Sequence, residues 1–215
     1  MIALSEAAGG EGRRFYYLMK RVLDVILSSL TMLAVFPLGC ACALAVLLTS
    51  RGPVFFKAQR LGKGGRPFWL YKFRSMVVGA PDWRNSDGSA FTSDRDPRVT
   101  PVGRFLRHTS LDELPQLWNV LRGDMSLVGP RPDQVDQIRY YTEAEKVKLA
   151  VKPGITGLAQ ISGRNAIAWE ARKVWDAEYV KRQSFLLDLV ILCKTIPYIL
   201  KREGVNSPAA TNQEV

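Results

Sequence analysis

The chain has 215 residues, of which 47% are hydrophobic and 23% are charged. That apolar content is enough to bury a core, which excludes intrinsic disorder as the general description. Thirty Lys and Arg against twenty Asp and Glu give a formal net charge of +10, which indicates an anionic partner such as nucleic acid, anionic lipid or a phosphate-bearing substrate. His108 is the only histidine and the three cysteines have no metal-ligand spacing, so a zinc site built from these residues is not expected.

Residues 25–48 form an apolar run of 24 residues without a charge. As a straight helix this run would be roughly 36 Å long, enough to cross a bilayer. Pro37 lies near its middle, where a proline removes a backbone donor and kinks a helix. Basic residues flank the run on both sides, which is typical of two cytoplasmic ends. They are Arg13, Arg14, Lys20 and Arg21 before it, and Arg51, Lys57, Arg60, Lys63 and Arg66 after it.

These flanks favour a re-entrant segment that enters one leaflet, breaks at Phe36 and Pro37, and returns to the same side. Two alternatives stay open: a kinked helix that spans the membrane, and a hairpin buried in the core. The predicted organisation is a lead-in at 1–19, the re-entrant helix at 20–50, a cytosolic domain at 51–203 and a disordered tail at 204–215.

The rest of the chain predicts a mixed α/β, mainly helical fold. Two aromatic-rich runs at 54–56 and 68–71, joined by a Gly- and Pro-rich loop, predict a short β-hairpin. The polar segment 79–101 has no periodicity and is predicted to be a long loop. Helices are predicted over 114–121, 133–150, 168–183 and 185–200. The last helix is too short and too charged to span a membrane comfortably, so we place it at the membrane interface or against the core.

Asp112 and Glu113 are adjacent acids at a predicted helix start. With Ser110 as the N-cap, Pro115 would have to donate a backbone hydrogen bond, which proline cannot do. With Asp112 as the N-cap, Pro115 falls at the third helical position, where no donor is needed. That register places the Asp112 carboxylate at the positive end of a helix, which favours its ionised form. Both an ordinary helix cap and a nucleophile are compatible with it.

Several cations lie near apolar or Gly- and Pro-rich turns, where guanidinium forks could hold phosphate oxygens bidentately. A phosphate site is one interpretation. A solvated basic face, or contacts with lipid headgroups, is the other. The residues concerned are Lys72, Arg74, Arg104, Arg107, Arg122, Arg131 and Arg164.

Four blocks of sequence resemble the bacterial sugar transferase family, and in particular its small monotopic polyprenyl-phosphate phosphoglycosyl transferases. The blocks are KFRSM at 72–76, SLDELPQL at 110–117, GDMSLVGPRP at 123–132 and KPGITG at 152–157. The likeness covers roughly residues 18–203, and blocks this long in this order rarely match by chance.

The resemblance implies transfer of a sugar-1-phosphate from a UDP-sugar to undecaprenyl phosphate, with release of UMP, at the start of surface glycan or glycoprotein oligosaccharide synthesis. It also implies Mg²⁺ as the cofactor. In the family pattern the aspartate of the Asp-Glu pair attacks the phosphorus that bears the sugar, and the lipid phosphate resolves the phosphosugar-enzyme intermediate. Here that aspartate is Asp112, and Glu113 would hold the metal ion. An aspartate nucleophile needs no proton removed, so a single histidine is no obstacle.

By the same resemblance Arg107 and Arg131 match functional arginines, and Asp188 matches a functional acid. Arg60 matches less closely, because the loop after it varies in length. The alternative is an ordinary salt bridge, which would join Arg107 to Asp112 or Glu113. For Asp188 the partner would be Lys181 or Arg182. Residues 163–169 are similar to the corresponding segment of family members that use N-acetylated amino sugars, which predicts a donor of that class.

The predicted location is the bacterial cytoplasmic membrane, with a catalytic domain that faces the cytoplasm. The predicted partners are the UDP-sugar donor, the undecaprenyl phosphate acceptor and membrane lipid, and a homodimer is allowed for. The alternative function is a non-catalytic basic protein of the membrane surface, in which Asp112 is only a helix cap. Nucleic acid is not an expected partner, because the Lys and Arg residues are dispersed and do not line one recognition helix.

Overall fold

The computed structural model describes residues 11–93, 95–163 and 167–201. Three sequence-based predictions lie outside these residues: the first ten residues of the lead-in 1–19, the role of Arg164, and the tail 204–215. The described chain has the mixed α/β, mainly helical architecture that the sequence predicts.

Helices predominate in the described chain, and the strands are short. The helices are α1 (Glu11–Thr49), α2 (Pro101–His108), α3 (Gln116–Arg122), α4 (Leu158–Ile161), α5 (Trp169–Arg182) and α6 (Phe185–Lys201). The strands are β1 (Phe55–Leu61), β2 (Pro67–Phe73), β3 (Ser126–Val128) and β4 (Gly154–Thr156). Short 3₁₀ helices lie between them at Lys63–Gly65, Leu111–Glu113, Val135–Tyr140 and Glu145–Ala150.

The longest element is α1, whose 39 residues contain the apolar run. Among the described helices it is the one long and apolar enough to cross a membrane, and only 11% of its most apolar stretch is buried. Helical backbone continues through Phe36 and Pro37, so the predicted interruption of the helix is wrong, because a proline removes a single backbone hydrogen bond and the turns on either side keep theirs. A bend at Pro37 within the continuous helix stays a prediction.

Polar groups attach the first half of α1 to the rest of the protein. The Arg21 guanidinium donates to the carbonyl oxygens of Val120 and Leu121, at the end of α3, where carbonyls have no helical partner. Asp24, which is 5% exposed, accepts the backbone N–H of Leu127 at 2.9 Å. Both contacts fix α1 beside the α3–β3 connection.

The last turns of α1 pack on a different part of the same fold. Cys42 and Val46 are 5% and 1% exposed, and they form an apolar cluster with Phe73 of β2 and Leu106 of α2. Both halves of α1 therefore pack against the chain that follows it.

The aromatic runs form the predicted hairpin. β1 and β2 pair antiparallel, from Phe55 opposite Phe73 at one end to Leu61 opposite Pro67 at the other. Each strand is seven residues long, because the pairing extends beyond the aromatic residues that signal it.

Asn119 fastens this hairpin to α3. Its side chain is fully buried, donates to the Trp69 carbonyl oxygen at 2.7 Å and accepts the Tyr71 N–H at 3.0 Å. A buried amide with satisfied hydrogen bonds holds two elements in one relative position. Lys72 is thereby placed beside the turn that precedes α3.

β3 and β4 pair in parallel. The sequence analysis did not predict this pairing. Ser126 lies opposite Gly154, and Val128 lies opposite Thr156. A Cβ atom on Gly154 would lie 2.1 Å from the Gly129 nitrogen, so this crossing of two backbones requires glycine. The glycines of the GDMSLVGPRP and KPGITG blocks therefore have a structural role.

The helix predicted over 133–150 is wrong. The structure has two 3₁₀ helices instead, Val135–Tyr140 and Glu145–Ala150. The Glu145 side chain accepts the Thr142 N–H at 2.8 Å, and the Glu145 N–H donates to Thr142 Oγ1 at 3.3 Å. This capping box starts a new helical segment, which prevents one continuous helix.

Three other predicted helices are confirmed to within two residues, as α3, α5 and α6. Ile191 of α6 is fully buried and packs with Tyr179 and Val180 of α5. Leu186 and Ile196, by contrast, are 72% and 63% exposed. One apolar face of α6 thus packs on the core while another faces outward.

Gly103 lets α2 lie directly on the segment after β2. The Thr100 side chain caps α2 by accepting the Gly103 N–H at 2.9 Å, and the Thr100 N–H donates to the Ser75 carbonyl oxygen at 3.0 Å. A Cβ atom on Gly103 would lie 1.9 Å from that same oxygen. Arg107, one turn further on, donates from Nε to Ser75 Oγ at 2.9 Å.

We expect Gly103→Ala to lower the free energy of unfolding by about 3 kcal/mol, because the added methyl group would meet backbone atoms and force α2 outward. For a domain of this size that corresponds to a fall in Tm of roughly 6–12 °C. Gly12→Ala is the matched control, since nothing lies within 4 Å of a Cβ atom there and alanine favours a helix. Thermal unfolding in detergent, followed by circular dichroism, measures both; equal Tm values for the two variants would contradict the close contact at Gly103.

Candidate active site

Asp112 and Glu113 lie in the 3₁₀ turn Leu111–Glu113, which follows α2. Ser110, immediately before it, has a φ of 58°, a left-handed conformation that is uncommon for residues other than glycine. The chain therefore turns sharply between α2 and the acidic pair.

The predicted register, with Asp112 as the N-cap and Pro115 at the third helical position, is wrong. α3 begins only at Gln116, directly after Pro115. Before that point the chain winds with i→i+3 bonds, since the N–H of Leu114 donates to the Leu111 carbonyl oxygen at 3.2 Å. The Asp112 carboxylate lies within a 3₁₀ turn and not at the first turn of an α-helix.

Glu113 binds two cations through one carboxylate oxygen. Lys72 Nζ lies 2.7 Å from Glu113 Oε1, and the Arg131 guanidinium donates to the same atom at 2.9 Å. The side chain of Glu113 is 12% exposed, so these pairs are only weakly screened by solvent. The charge of Glu113 raises the pKa of Arg131. The structure thus brings together Lys72, Glu113 and Arg131, and their roles in binding phosphate and metal stay predictions.

Asp112 is 7% exposed. Burial raises the pKa of its carboxyl group above the usual value; Lys72, Arg107 and Arg131 oppose that rise, and the charge of Glu113 adds to it. Lys72 Nζ lies 3.9 Å from the Asp112 carboxylate. The pair of carboxylates therefore lies among three cations, in a place with little water.

A basic cavity of about 160 Å³ opens beside Lys72 and Arg131. Arg60 and Arg172 complete a set of four cationic side chains in its wall, and Asp133 is the one acid among its described lining residues. Burial, together with the charge of Arg131, lowers the pKa of Arg60 to about 10. Such a concentration of positive charge suits a diphosphate, whose oxygens accept bidentate hydrogen bonds from guanidinium groups.

An apolar cavity of about 150 Å³ also reaches Arg131, and Glu113 lies in its wall. Its lining comes from the acidic turn and the residues beside it, from β4, α4 and α6, and from Leu117 of α3 and Thr31 of α1. The basic cavity and the apolar cavity therefore both border Arg131.

Arg74 was predicted to bind phosphate, and the structure places its guanidinium elsewhere. It donates to the carbonyl oxygens of Pro53 at 2.6 Å and Ser50 at 2.9 Å. Arg74 thereby closes the connection between α1 and β1, and it is not among the described residues that line either cavity. A role in phosphate binding stays a prediction.

Asp188 also lies away from the two cavities. Its carboxylate accepts the hydroxyl groups of Tyr16 at 2.8 Å and Tyr179 at 2.7 Å, and it pairs with Lys20 at 2.7 Å. It links α6 to α1 and α5, and its ion-pair partner is Lys20 and not the expected Lys181 or Arg182. Its functional role stays a prediction.

Arg172 is the cationic lining residue that the sequence analysis missed. It lies on α5 with Trp169, Lys173, Asp176 and Val180 at helical spacing. Trp169, Lys173, Asp176 and Val180 are buried, so charged residues occur on the stripe where apolar residues are usual. The burial of this stripe is seen in the structure and not in the sequence, so no sequence signal identified Arg172.

The expected Mg²⁺ can be tested against the side chains present. The described residues contain no group of three or more His, Cys, Asp or Glu that could hold a metal ion. Mg²⁺, however, usually keeps several waters and binds through one or two carboxylates together with substrate phosphates. Glu113, with Asp112 adjacent and the basic cavity alongside, fits that mode of binding.

Comparisons with known proteins identify the family of this chain. The family model described as bacterial sugar transferase matches residues 15–202. The uncharacterized sugar transferase EpsL of Bacillus subtilis is 46% identical, over 87% of this chain and 90% of that protein. The undecaprenyl-phosphate galactose phosphotransferase of Salmonella typhimurium is 42% identical, over 86% of this chain and 41% of that protein. The UDP-glucose:undecaprenyl-phosphate glucose-1-phosphate transferase of Escherichia coli is 44% identical, over 83% of this chain and 39% of that protein.

This chain thus spans about two fifths of the length of the Salmonella and Escherichia coli relatives, and nine tenths of the Bacillus relative. The family match covers the hairpin, the acidic turn and both cavities. The chain belongs to the bacterial sugar transferase family.

Proposed function

We propose that the protein transfers a sugar-1-phosphate from a UDP-sugar to undecaprenyl phosphate and releases UMP. The names of the Salmonella and Escherichia coli relatives describe phosphotransfer of galactose or glucose with undecaprenyl phosphate. The observation that carries the proposal is that the basic cavity and the apolar cavity both border Arg131, which binds Glu113 beside Asp112.

The diphosphate of the donor binds in the basic cavity. Arg60 and Arg131 repel each other there, which contributes to the lowered pKa of Arg60. A bound anion relieves this repulsion and accepts hydrogen bonds from both guanidinium groups. Lys72 extends the positive charge from the cavity to the carboxylate pair, so the sugar-bearing phosphorus is drawn toward Asp112.

Asp112 is the nucleophile of the first half-reaction. One of its carboxylate oxygens attacks the phosphorus that bears the sugar, the bond from that phosphorus to the UMP oxygen breaks, and UMP leaves with the electron pair. Lys72 and Arg107 offset the repulsion between the Asp112 carboxylate and the anionic phosphate. When bound at Glu113, Mg²⁺ supplies positive charge that shields the diphosphate and stabilises the departing UMP.

The lipid acceptor uses the apolar cavity. Its isoprenoid chain packs against the α4 and α6 residues of that cavity, and its phosphate lies near Arg131. A phosphate oxygen attacks the phosphorus of the aspartyl-phosphosugar intermediate, the bond to Asp112 breaks, and the carboxylate is restored. Dividing the reaction in this way means that two phosphates, which repel each other, need not approach the carboxylate together.

Both ends of α1 lie on the cytoplasmic side of the membrane in this proposal. Arg21 and Asp24 near one end, and Cys42 and Val46 near the other, all contact the same fold. A straight helix with that fold at both ends could not cross a bilayer between them. The helix therefore enters one leaflet of the bacterial cytoplasmic membrane and bends at Pro37, which lacks a backbone donor.

Two observations bear on the donor sugar. The names of the Salmonella and Escherichia coli relatives specify galactose and glucose, whereas the sequence of residues 163–169 led us to expect an N-acetylated amino sugar. Residues 164–166 of that segment lie outside the described residues. The amino sugar therefore stays a prediction. The homodimer also stays a prediction.

Asp112→Asn removes the nucleophile, and we expect it to lower UMP release by at least about a thousandfold. Detergent-solubilised protein is mixed with UDP-sugars, undecaprenyl phosphate and Mg²⁺, and UMP is measured. Asp136→Asn is the matched control, since that side chain is 47% exposed. Intact-protein mass spectrometry after a rapid quench should find a phosphosugar adduct on Asp112; an adduct on another acid, or full activity of Asp112→Asn, would overturn the assignment.

Thr31→Trp should separate the two half-reactions, because an indole at this position projects into the apolar cavity and obstructs the isoprenoid chain. We expect about one equivalent of UMP per protein with donor alone, as in the wild type, but at least a tenfold loss of turnover with acceptor present. Leu33→Trp is the control, since Leu33 is 76% exposed and does not line that cavity. Equal loss of both half-reactions would contradict the separate acceptor site.

The placement of α1 is tested with single cysteines at Arg14 and Arg66, which are both exposed, in a chain whose three native cysteines are replaced. A membrane-impermeant maleimide should label neither position in intact spheroplasts and both after permeabilisation. Labelling of only one position from outside would establish a spanning helix.

A further inference from the structure

Lys148, in the 3₁₀ helix Glu145–Ala150, is a buried lysine that the proposed chemistry does not use. Its side chain is 4% exposed, and its Nζ atom lies 2.8 Å from Asp133 and 2.6 Å from Asp176. Burial alone would lower the pKa of Lys148, but these two carboxylates raise it above its ordinary value. Lysine is seldom this buried unless it is paired, so the ammonium group and both acids form one charged cluster.

The two acids of this cluster hold the segment that carries Arg131. Asp133 lies two residues after Arg131, and the hydroxyl group of Tyr141 donates to its carboxylate. Asp176, on α5, lies beside this segment, and it lines one small cavity together with Arg131, Asp133 and Lys148. Burial raises the pKa of Asp176, and Lys148 and the backbone N–H of Arg131 oppose that rise. Lys148 therefore joins one acid within the Arg131 segment to another that lies against it.

We propose that Lys148 is a positioning residue of the transferase. By neutralising Asp133 and Asp176, it keeps Arg131 where the guanidinium binds Glu113 and borders both cavities. The inference rests on the proposed function and adds to it a residue outside the reacting groups. Lys148 is not among the described residues that line the basic or the apolar cavity.

The charge of Lys148 is what matters, and not only its volume. Without its ammonium group the carboxylates of Asp133 and Asp176 would face each other, and two like charges in a buried site cannot both stay ionised without cost. Other charged and titratable groups near them are Tyr141 and Arg172, which act on Asp133, and Lys173, which lines the same small cavity. The Arg131 segment would move to separate the acids, unless one of them takes up a proton.

Lys148→Met tests this, because it keeps most of the side-chain volume and removes the charge. We expect the rate of UMP release with donor alone to fall by more than about tenfold relative to wild type at pH 8. The ratio of variant to wild-type rate should rise at pH 6, since protonation of one acid then relieves the repulsion. Lys146→Met is the control, since Lys146 is a surface residue, 41% exposed, that pairs with Glu143.

The double variant Lys148→Met with Asp176→Asn provides the second measurement, and covers the case in which Lys148→Met fails to fold. Its asparagine side chain carries no charge and so does not repel Asp133, and its amide can donate to that carboxylate. We expect it to recover most of the wild-type rate at both pH values. The inference is overturned if Lys148→Met retains full activity at pH 8, or if the loss is equal at both pH values and the double variant does not recover. An inactive wild-type protein would instead refute the proposed function.

Discussion

The ion pairs of Glu113 are the interaction on which the rest of the site depends. Lys72 comes from the hairpin and Arg131 from the segment after β3, and both bind one oxygen of Glu113. Because all three side chains are at least partly buried, each would be costly to leave unpaired. The pairing therefore holds the hairpin, the acidic turn and the parallel strands in one arrangement. It also places a positive charge in the walls of both cavities.

The 3₁₀ geometry of the acidic turn explains how adjacent acids acquire different surroundings. With three residues per turn, successive side chains diverge by about 120°. Glu113 consequently meets Lys72 and Arg131 at hydrogen-bonding distance, whereas the Asp112 carboxylate lies 3.9 Å from Lys72 Nζ. Asp112 is thus held less tightly, although it is just as buried. That difference suits a carboxylate that forms a covalent bond beside one that stays in place.

Sequence reasoning succeeded where short-range periodicity determines structure and failed where distant segments meet. The hairpin, α3, α5 and α6 each follow from a local pattern. The parallel pairing of β3 with β4 joins two three-residue strands, too short for a periodic signal. The split at Thr142 is a different case, because the Thr142–Glu145 capping box is a local signal that the sequence analysis did not use. The continuity of α1 through Pro37 depends on the hydrogen bonds of the turns on either side, which hydropathy does not contain.

The candidate site shows the same division in its chemistry. Lys72 and Arg131 lie in sequence blocks whose residue types suggest phosphate binding, and they do meet Glu113. Arg172 and Lys148 lie in helical segments where charged residues usually face solvent, so their sequence context predicts a solvated surface. In the folded protein Lys148 pairs with Asp133 and Asp176, and Asp133 also attracts Arg172. Because a buried carboxylate is costly without a nearby cation, the position of Asp133 determines which lysine and arginine lie beside the site.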